Sequence, residues 1–380
     1  MCKKDNRTVM TLTTSMNQFT FTAIREGREV VMPIVLPAYT DHLQLSLEQM
    51  EKGFEAVIAQ LDGRPDAISF AFAGPADYIL GIIDSPPNFP AYHKVPLGPI
   101  LKQKFGIPVY INNGGNLFAY GEALAGALPN VNMLLEMQGY DTHYTNLIGV
   151  TIGTGLGGGI VIDDKLVRGD NGVAAEIWCM PDKICCDQTS NDPAIYDPER
   201  VVESIVSARG VSFAYQHFSG ETIERKALDI LAIAEGKMKG DQAAALHAFE
   251  RFGESLGHVI ALLISTIDGL VVIGGTLTKA KAFYTPSLMK EMDRVLFDGK
   301  QKQYKRLPLR VFNLDDKQVF EEFSHGHKEQ VKIPGTTCVV ERDTMRRVPV
   351  MTSTLGWKNA ISYGAYAFAL LMLDKKKKTC

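Results

Sequence analysis

The sequence predicts an α/β protein built as two lobes. Segments of strand character alternate with segments of helical periodicity through the first third of the chain. A strand–turn–strand pattern occurs twice, at 8–24 and at 147–162, each time followed by helices. The 380 residues are more than one hydrophobic core usually organises. The first lobe is expected to comprise residues 1–127 with the terminal segment 360–380, and the second residues 128–359.

Residues 8–12 and 19–24 read as two strands joined by Thr13-Thr14-Ser15-Met16-Asn17, with a third strand over 29–36 after the turn at Gly27. Ser46 is placed to cap a helix running to about residue 61, because Leu47, Met50, Phe54, Val57, Ile58 and Leu61 share one face. Residues 67–72 form a buried strand ended by Ala73-Gly74-Pro75. The prolines at 86, 87 and 90 keep 85–90 out of regular pairing. A helix over 97–105, a strand over 109–111 and a helix over 117–126 complete the first lobe.

The second lobe opens on residues 149–160, GVTIGTGLGGGI, with five glycines in the seven residues 153–159. This reads as a strand, a tight turn and a second strand. Glycine lets the backbone fold sharply or approach a ligand closely. The exposed N–H groups of the turn, with the Thr154 hydroxyl, suit a phosphate oxygen. No Lys follows, as a P-loop requires, and no helix follows, as a Rossmann fingerprint requires. A glycine-rich hairpin without a ligand is the plainer alternative. Helices are expected over 199–209, 227–237 and 242–267, and a short strand over 270–273 ends in Gly274-Gly275. Residues 300–351 are richer in charge, with strands near 309–312 and 337–341, and read as an elaboration on the core. The last helix, over 358–373, is apolar, with Gly364 and alanines suited to close packing.

Apolar content of 46% and charged content of 22% are ordinary for a globular protein. A net charge of −3 gives no reason to expect nucleic acid or an anionic membrane as partner, and the lysine run at 375–378 reads as a solvated tail. Six scattered cysteines fit a reducing cytoplasm. The N-terminal residues lack the apolar core of a signal peptide, and the apolar run at 256–263 is too short to span a membrane.

Eight short motifs, in order, resemble those of the ROK family of sugar kinases and their relatives. Ala73-Gly74-Pro75-Ala76-Asp77 is similar to the family's G-P-x-D turn, and Pro87-Asn88-Phe89-Pro90 to its P-N-L/F-P loop. Asn112-Asn113-Gly114-Gly115-Asn116 stands at its N-D-A-N segment, and residues 152–159 at its G-T-G-x-G-x-G hairpin. Ala175-Glu176-Ile177 begins its G-E-I-G-H motif, and residues 202–207 resemble C-L-E-x-x-x-S. Residues 271–275 match V-x-x-G-G, and 362–370 its closing helix. The resemblance implies the two-lobed actin/hexokinase-like (ribonuclease H-like) fold with a cleft between the lobes. It implies sugar contacts from Asn88, Asn113, Glu176 and Glu203, and nucleotide contacts from Gly153, Thr154, Gly155, Gly274 and Gly275. It also implies ATP and Mg as cofactors, and a homodimer formed through the second lobe. The family's repressors carry a DNA-binding module before the first strand. A first strand at about residue 8 leaves no room for one, so nucleic acid is not an expected partner.

The chain departs from the family in three places. The Asp of N-D-A-N, which accepts the proton of the sugar hydroxyl, is Gly114, and losing a general base typically costs ~10²–10⁴ in rate. The D-x-G-G-T phosphate loop is Thr13-Thr14-Ser15-Met16-Asn17, so Thr13 replaces an Asp and Ser15 and Met16 replace glycines. Cys179 replaces the His of G-E-I-G-H, and the cysteines that follow, Cys185 and Cys186, are adjacent, so a structural zinc is not expected. The expectation is a cytoplasmic sugar-kinase-like protein that binds sugar, nucleotide or both, with no catalytic residue at the family position and no required cofactor. The alternatives are an active hexose kinase using a substitute base, such as Glu176, and a scaffold partner of an active paralogue.

Overall fold

The computed structural model describes residues 5–14, 18–140, 143–182 and 201–379, with side chains to residue 375. The chain forms two compact units: residues 1–127, 159–175 and 354–380, and residues 128–158 and 176–353.

In the first unit the chain runs β1 (Val9–Thr14), β2 (Gln18–Arg25), β3 (Arg28–Glu29), β4 (Ile34–Pro37), α1 (Leu43–Ile58) and β5 (Ala67–Ala71). The short ribbon β6 (Ala76–Asp77) and β7 (Ile82–Ile83) follows, then α2 (Leu97–Phe105), β8 (Val109–Asn112) and α3 (Gly114–Ala125). The sheet order is β3-β2-β1-β5-β8, with β4 paired to β2. β1 lies antiparallel to β2 and parallel to β5, and β5 parallel to β8. Alternation along these strands makes two unlike faces. Met10, Leu12, Phe21, Ile68 and Phe70 join Met50 and Phe54 of α1 in one apolar core. The alternate positions Thr22, Thr11, Ser69 and Tyr110 stand side by side across β2, β1, β5 and β8.

After α4 (Ala127–Met137) come β9 (Asn146–Ile152), β10 (Leu156–Ile162) and β11 (Lys165–Leu166), with the chain passing into the first unit at Gly159 and back at Glu176. The second unit continues with α5 (Ala208–Ser219), α6 (Ala227–Ala234), α7 (Gln242–Ile267), β12 (Leu270–Gly274) and α8 (Lys281–Met292). A ribbon of β13 (Val295–Phe297) and β14 (Gln303–Lys305) precedes β15 (Arg310–Asn313) and α9 (Lys317–His325). A second ribbon, β16 (Lys328–Lys332) and β17 (Val339–Asp343), precedes β18 (Arg347–Thr352). The sheet order is β11-β10-β9-β12-β18-β15, with β12 parallel to both β9 and β18. Its core gathers apolar side chains of α5, α6, α7 and α8 on β9 and β12.

The terminal helix α10 (Trp357–Thr379) belongs to the first unit and packs on α3, β1, β5 and β8. Its approach to α3 is backbone against backbone. A Cβ at Gly364 would lie 1.9 Å from the Leu117 carbonyl oxygen, and one at Gly121 would lie 2.0 Å from that of Ala360. The Glu122 carboxylate, fully buried, accepts from the Ala127 N–H at 2.8 Å and the Leu355 N–H at 3.3 Å, tying the end of α3 to the start of α10.

Several expected elements differ. The strand over 29–36 is two short strands, because Pro33 has no N–H to continue the ladder. Ser46 caps nothing: it lies inside α1, fully buried, and its hydroxyl binds the Ala38 carbonyl at 2.6 Å and the Tyr92 hydroxyl at 2.8 Å. The helix over 199–209 is absent from its described part. Val202–Ser204 is one 3-10 turn, and the helix begins instead at Ala208, where Ser207 accepts from the Gly210 N–H as its cap. No helix among the described residues is long and apolar enough to cross a membrane.

Candidate functional site

Each unit carries its own share of the expected positions. In the first, Asn88 sits in the proline loop, fastened by the next residue. Phe89 is 3% exposed, 4.7 Å from the Phe72 ring and 5.6 Å from that of Tyr92. Burial pushes the Tyr92 hydroxyl up to about 12, so it is a neutral hydrogen-bonding group at any ordinary pH. Asn88 itself is half-buried and makes no side-chain hydrogen bond among the described residues.

Asn113 follows β8 and caps α3, its side-chain oxygen accepting from the Asn116 N–H at 2.6 Å. Gly114 is the first residue of α3, which begins three residues before the expected start at 117, so the position read as a turn is the first turn of the helix. A Cβ on it would meet only the Ile361 Cδ1, at 3.9 Å, so there is room for a side chain. Asn112 and Asn116, 2% and 1% exposed, are joined by a 3.1 Å amide hydrogen bond directly beneath this turn. At the end of β1, the Thr13 hydroxyl lies 3.3 Å from that of Ser362 on α10. Ser15, Met16 and Asn17 lie outside the described residues, as do Cys185 and Cys186.

In the second unit the glycine turn is tied down from within. The Gly153 N–H donates to the Gly155 carbonyl at 3.0 Å, and the Gly153 carbonyl accepts from the Ala208 N–H at 2.7 Å. The Leu156 N–H is taken by Glu203, at 2.9 Å. Gly155 makes this possible, because a Cβ there would lie 2.6 Å from the Glu203 carboxylate. Two N–H groups of the turn, one of them that of the expected phosphate contact Gly153, are therefore already spent. Glu203, expected as a sugar contact, is placed against the glycine turn, with the Arg209 guanidinium 3.4 Å from its other oxygen. Thr154 keeps an exposed hydroxyl.

At the end of β12, Gly275 has φ +104, and a Cβ on it would strike the Ile152 carbonyl oxygen at 2.1 Å, so this position requires glycine for packing alone. Thr276, exposed and next in sequence, was not singled out above. Its hydroxyl lies 3.3 Å from where a Gly153 Cβ would stand, which brings the two glycine turns together. Its position directly after Gly274-Gly275 was the available signal. Arg209 was also missed; it is five residues past the end of the Val202–Ser204 turn and nothing in its sequence context marks it. Glu176 accepts from the Trp178 indole N–H at 2.7 Å, and its backbone carbonyl accepts from the Cys179 thiol at 3.1 Å. Ala175 before it has φ +62, where the family motif has glycine.

Chemically, the second unit offers two glycine turns, two exposed threonine hydroxyls and an arginine, a set suited to phosphate oxygens. The first offers amide groups suited to hydroxyls, and a helix start without a carboxylate.

The family model described as the ROK family matches residues 38–317. An N-acetyl-D-glucosamine kinase of Vibrio parahaemolyticus is 31% identical over 271 residues, 70% of this chain and 82% of its own length. The crystal structure of a glucokinase from Parabacteroides distasonis is 44% identical, with a TM-score of 0.82 over 97% of this chain and 99% of that one. A ROK hexokinase from Thermus thermophilus, 18% identical, has the same fold at a TM-score of 0.66 over 97% of this chain and 99% of its own. With its α/β units of the actin/hexokinase-like fold, this chain belongs to the ROK family.

Proposed function

We propose that this ROK-family protein binds a hexose or N-acetylhexosamine, and a nucleotide at its glycine turns, without transferring phosphate at a useful rate. The observation that carries the reading is the start of α3: Asn113 caps the helix, and Gly114 offers no group to accept a proton. Phosphoryl transfer is catalysed mostly by positioning and electrostatics, and the side chain that takes the hydroxyl proton is one of its few chemical parts.

Magnesium-ATP, the cofactor the family implies, fits this chain in part. Gly153, Thr154, Gly155, Gly274, Gly275 and Thr276 are the residues proposed around a nucleotide's phosphates, with the threonine hydroxyls as the donors, since the Gly153 N–H is engaged with the Gly155 carbonyl. Magnesium favours carboxylate oxygens and water. Thr13 and Gly114 supply no carboxylate, and the Thr13 hydroxyl is engaged with Ser362. The donor set at these two positions does not fit the metal, and no step is derived through it. Asn88, Asn113 and Glu176 are the residues proposed for sugar hydroxyls. Glu203 is proposed to hold the glycine turn, with Arg209 offsetting its charge beside bound phosphate.

The 44% identity to a glucokinase favours a second reading, an active hexose kinase that takes the proton through another group. Both readings require a sugar site. Isothermal titration with glucose and N-acetylglucosamine should give saturable binding of at least one. Asn88→Ala should weaken it by about tenfold, or roughly 1.4 kcal/mol. Binding that is unchanged in Asn88→Ala removes that residue from the site, and no binding of any hexose removes the sugar site itself.

A further inference from the structure

We propose that the first unit holds a second ligand site, a recess that takes a small organic carboxylate with an apolar body. The recess has a volume of about 500 Å³, and all the residues lining it belong to the first unit. It contains none of the positions assigned above to sugar or nucleotide. Val109 of the edge strand β8 and Phe368 and Met372 of α10 supply apolar wall. Ile79 and Leu80, from the tip of the β6–β7 ribbon, supply more, and each is 60% exposed. The volume lies within the range of small-molecule sites, and the lining is mixed, of apolar wall and polar groups.

The placed polar group is Arg168, just past β11. Its guanidinium is half-buried, 5.1 Å over the Phe368 ring, with Nη1 3.7 Å from the Met372 sulfur. No carboxylate among the described residues pairs with it. A cation held against apolar surface without a counter-ion is costly, and a ring face and a thioether recover only part of that cost. Burial accordingly draws the Arg168 pKa down. The planar fork of an arginine matches a carboxylate with two parallel hydrogen bonds. Lys375 and Asp170 also line the recess, both exposed and of opposite charge, so Arg168 decides the sign of the ligand. A more open recess of about 460 Å³ shares Ile79 and Leu80 and extends past Gly98, Pro99 and Lys102. It gives the apolar body room to continue.

The test is isothermal titration of the full chain with 3-phenylpropionate. The neutral 3-phenylpropan-1-ol serves as the uncharged counterpart, and inorganic phosphate as the anion without an apolar body. The carboxylate should bind saturably, one per chain, and the alcohol and phosphate at least about tenfold more weakly. Arg168→Met, which keeps the apolar stem, should weaken carboxylate binding by about tenfold or more. Leu80→Glu, at an exposed position, should weaken it by about fivefold through repulsion. Glucose binding should be unchanged in both variants. The proposal is overturned if the parent shows no saturable binding up to about 10 mM, if alcohol or phosphate binds as tightly as the carboxylate, or if Leu80→Glu and a folded Arg168→Met bind it as the parent does.

Discussion

Gly114→Asp combined with Thr13→Asp is expected to raise hexose phosphorylation by at least about 100-fold over the parent, which corresponds to roughly 2.7 kcal/mol of barrier. The variant should fold. The Gly114 position is open except for the Ile361 methyl at 3.9 Å. As the first residue of α3, an Asp there also meets the positive end of the helix dipole, and it replaces a glycine that costs helical entropy. At Thr13 the Ser362 hydroxyl, 3.3 Å away, is ready to donate to a new carboxylate. The two gains need not multiply, because both groups serve one transition state. The check is a coupled assay of ADP release with ATP, magnesium and glucose or N-acetylglucosamine. A variant that folds and binds sugar yet gains nothing would mean that these two positions do not limit turnover, and Ser15, Met16 and Cys179 are the next positions to exchange.

The largest expected effect on stability is at the crossing of α3 and α10. Gly364→Ala places a methyl 1.9 Å from the Leu117 carbonyl oxygen and 3.0 Å from the Gly121 nitrogen, where only backbone can yield. Overpacking of this kind costs about 1–3 kcal/mol, and more when backbone must move. Gly364→Val adds two more methyl groups at the same crossing and should cost more than the Ala variant, a large fraction of a total stability of roughly 5–15 kcal/mol. Urea unfolding followed by near-ultraviolet circular dichroism would measure the Ala variant. An Ala variant as stable as the parent would mean that α10 does not approach α3 so closely in solution.

How much of this could be read from the sequence depended on whether the deciding contact was local. α2 and α7 begin and end where expected, because their stops are written beside them. Gly106 closes α2 in the left-handed conformation with φ +65, and Asp241 caps α7 through the Ala244 N–H at 3.0 Å. The helix placed at 199–209 failed because Val202, Ile205 and Val206 are apolar at helical spacing but are buried by a 3-10 turn, while the true cap is Ser207. α8 escaped notice because Pro286 lies inside it, and α9 because it sits within a charged stretch. At the candidate site, the capping of α3 by Asn113 was not read from the sequence, because the helix was expected to start at 117 and the motif drew attention to the residue as a sugar contact. Nor was the contact of Glu203 with Leu156, since it spans 47 residues and only the folded chain brings them together. Gly155 looked like a phosphate glycine. The structure adds a second reason for it, which is the space that the Glu203 carboxylate occupies.

The central claim is that a chain with Gly114 at the start of α3 keeps the ROK fold and has lost phosphoryl transfer. The most direct measurement is turnover of the unaltered protein, by coupled ADP release over glucose, mannose, fructose and their N-acetyl amines with ATP and magnesium. Kinases of this chemistry turn over at about 1–100 per second, and loss of the base removes ~10²–10⁴ of that. The account predicts at most about one turnover per second, and as little as ~10⁻⁴, on every sugar. Turnover above a few per second on any of them would contradict it and establish the active-kinase reading instead.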